Sequence, residues 1–230
     1  MALILNIETA TKVCSVSIGK DAILLTFKEM NDNYSHAENL TVFIEDLLDE
    51  TNLKISNFDA IAVSKGPGSY TGLRIGVSTA KGLCYALQKP LISISTLQAM
   101  AKSPLTTHHS PLTTLFCPML DARRMEVYCA FYDGKNKLIK NISAEIIDEN
   151  SFAGILKNNT VLFFGDGSEK CKIHLSKNPN AIFIDSVFPS AKNMLELSEM
   201  AFNADDFEDL AYFEPYYLKD FVGTVAKNKT

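Results

Sequence analysis

The sequence predicts an α/β protein of two related lobes, each a mixed sheet flanked by helices. Three observations carry that prediction. A unit of strand, acidic turn and strand occurs twice, as "LILNIETATKVCSVSI" and as "LFCPMLDARRMEVYCAF", so that Glu8 corresponds to Asp121 about 110 residues later. Between the two units, apolar strands alternate with segments of helical periodicity. The polar, proline-containing tandem "SPLTTHHSPLTT" then interrupts the pattern. The lobes are therefore placed at 1–102 and 115–230, joined by a loop over 103–114, with 203–230 as a segment able to pack back on the first lobe.

Each element has its own local reason. Residues 3–7 are a buried-type strand, and a turn over 8–12 leads into a second strand over 13–18. Gly19-Lys20-Asp21 turns the chain into a third strand over 22–27, completing a β-meander. In "HAENLTVFIEDLLDET", Leu40, Phe43, Ile44, Leu47 and Leu48 recur at helical spacing, opposite Glu38, Glu45, Asp46 and Asp49. "FDAIAVSKGPGS" is a short strand entering a glycine turn, and a helix over 70–87 follows until Lys89-Pro90 stops it. "PLISIS" is a strand and "TLQAMAKS" starts another helix. After the loop the meander recurs, then "TVLFFGDGSEKC" supplies a buried strand and a second glycine turn. The helix "SAKNMLELSEMAFN" closes the second lobe, and "DLAYFEPYYLKDF" is the terminal segment.

Composition narrows the function classes. With 230 residues, 47% hydrophobic and 21% charged, the chain can bury a sizeable core as one or two compact domains. The net charge of −5 makes it a poor general binder of nucleic acid, because that affinity rests on Lys and Arg. Any such contact needs a local basic patch or a partner's surface. Cys14, Cys84, Cys117, Cys129 and Cys171 are scattered, odd in number and flanked by apolar residues. They read as reduced core thiols in a cytoplasmic protein, neither disulfides nor a zinc site. No cationic leader or bilayer-length apolar run is present, because "ALILNI" meets Glu8 at once.

The stretch "GPGSYTGLRIG", residues 66–76, has the glycines, the hydroxyls Ser69 and Thr71, and the following helix that a phosphate loop needs. It lacks the G-K-[ST] ending and the G-x-G-x-x-G spacing, and Pro67 removes one N–H donor. The helix is more informative. Gly72, Gly76, Thr79, Leu83 and Ala86 form one line, and Leu73, Val77, Ala80 and Cys84 form another. Together these lines make an uncharged arc of about 200°, roughly twice what packing on one sheet requires. Arg74, Ser78, Lys81 and Tyr85 hold the remainder. Two readings follow: the helix is sandwiched inside its own fold, or one line packs on the sheet while the glycine line meets a partner. The second is preferred.

Glu8 and Asp121, at matching strand ends, could hold Mg²⁺ across a cleft, with Thr9 beside a phosphate. Single acidic residues at β-turns are also commonplace. His108 and His109 read as loop histidines without a third metal ligand, and His36 and His174 stand apart from any nucleophile.

Taken together, "ILNIETATKVCSVSI", "FDAIAVSKGPGSYTGLRIGVSTAKGL", "KPLISISTL" and "EPYYLK" resemble the bacterial TsaB (YeaZ) family across nearly the whole chain. The resemblance implies two RNase-H-like lobes of the actin/sugar-kinase/Hsp70 type and a role in making threonylcarbamoyladenosine in tRNA. It also implies that catalysis belongs to a longer sister, TsaD, which carries a His-x-x-x-His metal pair. The matching positions here are Thr96 and Met100, which cannot replace those ligands. The chain then resembles a non-catalytic scaffold or activator that pairs with a Gcp/TsaD-type subunit. The implied contact elements are the helix with Leu40, Phe43, Ile44 and Leu47 and the segment Ser69, Tyr70, Thr71, Gly72, Leu73, Gly76, Thr79 and Leu83. A TsaE-type accessory P-loop ATPase, tRNA bound through the complex, and a homodimer in isolation complete the expected partners. No cofactor is expected on the chain alone, and ATP or ADP is left as an option at the subunit junction. Two departures stand out: Glu8 replaces the usual Asp, and Lys219 replaces an Arg common after "YL". The competing readings are an ATP/Mg²⁺-dependent transferase in its own right, using Glu8 and Asp121, and a peptidase.

Overall fold

The computed structural model describes residues 2–31, 36–107 and 114–219. It contains two five-stranded sheets. The first is built from β1 (Leu3–Glu8), β2 (Val13–Lys20), β3 (Ile23–Asn31), β4 (Ala60–Gly66) and β5 (Leu91–Ser95), in the order β3-β2-β1-β4-β5. The second uses β6 (Thr114–Asp121), β7 (Glu126–Tyr132), β8 (Leu138–Ile146), β9 (Thr160–Phe164) and β10 (Ala181–Ile184), in the order β10-β9-β6-β7-β8. In each sheet three antiparallel strands form a meander and two parallel strands extend it from the first. The two orders superpose strand for strand, which is the duplication that the repeated strand–carboxylate–turn unit implied.

The helices explain how the strands are covered. In the first lobe α1 (His36–Thr51) precedes β4 and α2 (Tyr70–Leu87) precedes β5. Leu40, Phe43, Ile44 and Leu47 of α1 and Val77, Ala80 and Cys84 of α2 close over Leu5, Ile7, Val16, Ile18 and Val63. The second sheet is covered on the corresponding face by α4 (Ala153–Leu156) and α5 (Ser168–Leu175), through Leu156, Cys171 and Leu175. Alternating burial on both faces of the central strands dictates near-continuous apolar runs such as "TVLFF".

The remaining face of each sheet is covered by a helix that follows the lobe's last strand. Helix α3 (Thr96–Thr107) sends Leu97, Met100 and Ala101 onto Phe116, Leu120, Leu162 and Phe164 of the second sheet. A 3-10 turn, Ala191–Met194, and α6 (Leu195–Asn203) return to the first sheet, where Met194 and Leu197 pack on Ile4, Ala62, Ile92 and Ile94. Ser17 Oγ donates to the Ala191 carbonyl at 3.0 Å, and Ser15 Oγ accepts from the Ala191 N–H at 3.0 Å. Each lobe therefore borrows one layer from the other's chain segment.

Two boundaries differ from the sequence reading. The segment over 103–114 is not loop throughout, because α3 continues to Thr107 and β6 begins at Thr114. Burial of the Leu97/Met100/Ala101 face between the lobes outweighs the loss of one helical hydrogen bond at Pro104. His108 and His109 lie outside the described residues. The chain's return to the first lobe also starts at Ser190–Ala191, not at 203, so "SAKNMLELSEMAFN" completes the first lobe. Beyond α6 the chain continues as a strap on that lobe: Glu208 N–H donates to Leu91 O at 2.8 Å, and Tyr216 N–H to Lys65 O at 2.7 Å.

Candidate functional site

The glycine turn meets the β1–β2 turn, and local sequence explains why. Gly66 has φ +108°, a left-handed value that favours glycine, and its peptide to Pro67 is cis. Ser69 caps α2 by accepting the Gly72 N–H at 3.3 Å, and its own N–H donates to Ala10 O at 2.6 Å. At the far end Gln88, at φ 54°, terminates the helix before Pro90.

The small residues serve contact between these turns. A Cβ at Gly68 would lie 2.3 Å from Ala10 O, one at Gly72 2.1 Å from Thr9 O, and one at Gly76 2.3 Å from Thr9 Oγ1. Thr9 Oγ1 donates to Gly72 O at 2.8 Å, fastening the turn to the helix. The buried His36, which opens α1, places Nε2 2.7 Å from Thr11 O. The glycine line is thus covered by the chain's own β1–β2 turn, which corrects the preferred partner reading for Gly72 and Gly76.

Burial corrects further contact residues. Leu40, Phe43, Ile44, Leu47 and Leu73 are core side chains, closed over by the chain itself. Periodicity identified their shared face correctly but not what covers it. Thr71 is exposed, and Ser69, Tyr70, Thr79 and Leu83 are half-buried. The open face of α2 carries Thr71, Arg74, Ser78, Gly82 and Tyr85, the last 81% exposed. A Cβ at Gly82 would meet nothing within 4 Å.

Glu8 is fully buried, with Oε1 accepting from the Ala10 N–H at 2.6 Å and from Ser64 Oγ at 2.8 Å. Oε2 has no hydrogen-bond partner among the described residues. Burial pushes this carboxyl up to about 7, against the pull of those hydrogen bonds. Glu8 therefore sits beneath the turn and does not line the cleft, and Thr9 faces α2. Two of the turn's amides are used internally, Ala10 by Glu8 and Val13 by Thr11 Oγ1.

Between the lobes lies a cleft of about 680 Å³. One wall presents Thr11, Lys12, Ser69 and Tyr70, the other Asp121, Arg123, Tyr128 and Asp166, and the strap adds Tyr216, Tyr217 and Lys219. Tyr70 and Tyr217 lie ring to ring at 4.9 Å, with the Arg74 guanidinium 5.1 Å from the Tyr70 ring centre. Asp121 Oδ1 accepts from the Arg123 N–H at 2.8 Å and pairs with the Lys170 ammonium at 2.5 Å. Asp166 accepts the Asp121 N–H at 3.1 Å, and burial raises its carboxyl above the ordinary range. Lys219 pairs with Glu126. Glu8 and Asp121 are thus divided, one inside the first lobe and the other open to the cleft. Sequence reasoning missed Lys12, Arg123, Tyr128, Asp166 and Tyr217, which come from three turns, strand β7 and the strap, with no shared motif.

Thr96 and Met100 are fully buried at the start of α3. Met100 packs on the second lobe, its methyl 2.9 Å from where a Cβ at Gly165 would stand. Thr96 Oγ1 has no hydrogen-bond partner among the described residues. No group of three His, Cys, Asp or Glu among the described residues could hold a metal ion. The five cysteines are unpaired and buried, and burial lifts the Cys84 thiol to about 12 and those of Cys14 and Cys171 to about 11. Such thiols make poor nucleophiles.

A family model described as TsaD, tRNA N6-adenosine threonylcarbamoyltransferase, matches residues 32–223. The chain belongs to the TsaB (YeaZ) branch of this family. It is 28% identical to the tRNA threonylcarbamoyladenosine biosynthesis protein TsaB of Escherichia coli K12, across 95% of each chain. It is 26% identical to the protein of the same name from Haemophilus influenzae, across 95% of this chain and 94% of that one. Among solved structures, YeaZ from Pseudomonas aeruginosa aligns with a TM-score of 0.80 at 26% identity, over 95% of this chain and 100% of that one. As a TsaB-family member, the chain repeats one five-stranded mixed-sheet topology in its two lobes. No described helix is long and apolar enough to cross a membrane.

Proposed function

We propose that this chain is a non-catalytic subunit of tRNA threonylcarbamoyladenosine synthesis, pairing with the catalytic TsaD-type transferase and supporting its activity. The observation that carries the reading is the fate of Thr96 and Met100. The positions matched to the sister's metal ligands hold a hydroxyl and a thioether, both fully buried, with Met100 packed on the second lobe. A chain that keeps the fold while filling that site with packing is suited to supporting a relative that retains the chemistry. The burial of Glu8 away from the cleft speaks against the ATP/Mg²⁺-transferase reading, which would use that carboxylate at the cleft.

Docking is assigned to the open face of α2, with Ser78, Gly82 and Tyr85 as the surface on which a partner helix can lie. The TsaE-type ATPase, and ATP or ADP at the junction, belong to the assembled complex in this reading, as does most of the hold on tRNA. In isolation a second copy covers the same face. A cytoplasmic location follows from the pathway.

The test assays threonylcarbamoyl transfer to tRNA by the chain alone, by the catalytic subunit alone and by both, with light scattering for the complex. Stimulation is expected only on mixing. Transfer by the chain alone, or a catalytic subunit indifferent to it, would overturn the reading. Gly82→Arg is the informative variant. Its side chain enters open space, and replacing a mid-helix glycine should stabilise the free chain by about 0.5–1 kcal/mol. The expected result is a higher melting temperature together with loss of the complex. A complex that tolerates Gly82→Arg would move docking away from α2.

A further inference from the structure

We propose that the interlobe cleft binds a single-stranded stretch of RNA, with Lys12 on one wall and Arg123 on the other each taking a phosphate, and with bases against the lining tyrosines. The choice of RNA as the occupant rests on the tRNA reading above. The site itself rests on four features of the cleft.

Lys12 and Arg123 come from corresponding turns of the two lobes, β1–β2 and β6–β7, and both line the cleft. Neither side chain has a hydrogen bond or ion pair among the described residues. The other charges are matched differently: Asp121 is held by Lys170, and Lys219 by Glu126. Asp166, exposed in the cleft and accepting the Asp121 N–H, is the carboxylate nearest in influence to Lys12. Two cations thus face the cavity from opposite sides, Lys12 with the Asp166 carboxylate in its neighbourhood and Arg123 bonded to no side chain among the described residues.

Arg123 and its neighbour Arg124 both have positive φ, at 70° and 49°. Side-chain-bearing residues resist that conformation, and glycine would make the same turn with less strain. What arginine adds at 123 is a guanidinium at the cleft.

The backbone favours RNA over the commonest alternative only in part. A nucleoside di- or triphosphate needs consecutive free amides around its phosphates. Here the Ala10 and Val13 amides bond within their own turn, and the Ser69 amide bonds Ala10 O. Two separated side-chain cations suit a diester chain, which offers one charge per phosphate. Tyr128 and Tyr216 line the cleft beside the Tyr70–Tyr217 ring pair and supply the stacking surfaces that such a chain uses without regard to sequence. A local pair of this kind is how a protein of net charge −5 can still touch RNA.

The experiment titrates the full chain into a fluorescently labelled single-stranded oligoribonucleotide, by anisotropy, across a salt series. Neutralising two phosphates gives a slope of log affinity against log salt of about −1.4, at roughly −0.7 per phosphate. Lys12→Ala and Arg123→Ala are each expected to halve that slope and weaken binding about tenfold, while Arg123→Lys keeps the slope. Circular dichroism and pairing with the catalytic subunit, measured on the same variants, establish that the fold and the α2 face are intact. The proposal is overturned by no binding at the lowest salt, by a slope indifferent to both substitutions, or by full displacement of the RNA by equimolar ADP or ATP. Failure of the subunit reading registers separately, as absent stimulation of transfer while the RNA slope persists.

Discussion

Gly72→Ala is expected to lower stability by about 3 kcal/mol, at the upper end of overpacking costs, although alanine is the better helix former. The new methyl would fall 2.1 Å from the Thr9 carbonyl oxygen, and a backbone atom in a hydrogen-bonded turn has little room to withdraw. For a chain of this size that cost corresponds to a fall in melting temperature of roughly 6–12 °C. Gly76→Ala clashes instead with a side-chain atom, Thr9 Oγ1. A double-mutant cycle separates the two. In a Thr9→Ala background, Gly76→Ala should turn from harmful to neutral or stabilising, because Oγ1 is gone. Gly72→Ala should remain as costly as before. If both are rescued, or if neither harms the wild type, the close seating of the β1–β2 turn on α2 is wrong.

The second large effect is a pH dependence centred on Glu8. Its carboxyl titrates at about 7 in the folded chain against an ordinary 4.5, because burial disfavours the charge. The folded state therefore holds a proton that the unfolded state releases between those values. The sign follows: this contribution is fully present below pH 4.5 and is lost as pH rises through 7, at up to roughly 1.4 kcal/mol per unit. Across the window the loss is about 3 kcal/mol. Urea unfolding at pH 5 and pH 8 should show wild type losing stability relative to Glu8→Gln, whose amide oxygen can accept the same Ala10 and Ser64 bonds without a charge. Comparing the two cancels other titrating groups, Asp166 among them. Parallel curves would mean that Glu8 is not the titrating group.

Much of this architecture is written locally. Ser69 and the Lys89-Pro90 pair bracket α2, and the repeated strand–carboxylate–turn unit announces two lobes with the same strand order. What the sequence withheld is whatever depends on residues far apart along the chain. The periodicity of α2 showed a wide apolar arc, but not that Thr9 occupies half of it. Leu40, Phe43, Ile44 and Leu47 share a face in either reading, and only tertiary packing says that the face is internal. The proline-containing pentad signals a loop by composition, yet the buried face of α3 carries the helix through it. Lys12 and Arg123 occupy ordinary turns, and their convergence exists only once the two sheets are set side by side.

The exchange of layers between the lobes also bears on how the protein is made. During synthesis the first sheet leaves the ribosome with α1 and α2 but without the cover for its other face. Ile4, Ala62, Ile92 and Ile94 wait for Met194 and Leu197, which emerge about 100 residues after β5 is finished. The strap that bonds to Leu91 and Lys65 follows later still. The earliest part of the nascent chain is thus the last to be completed, and until then it offers an apolar surface to whatever meets it at the exit tunnel.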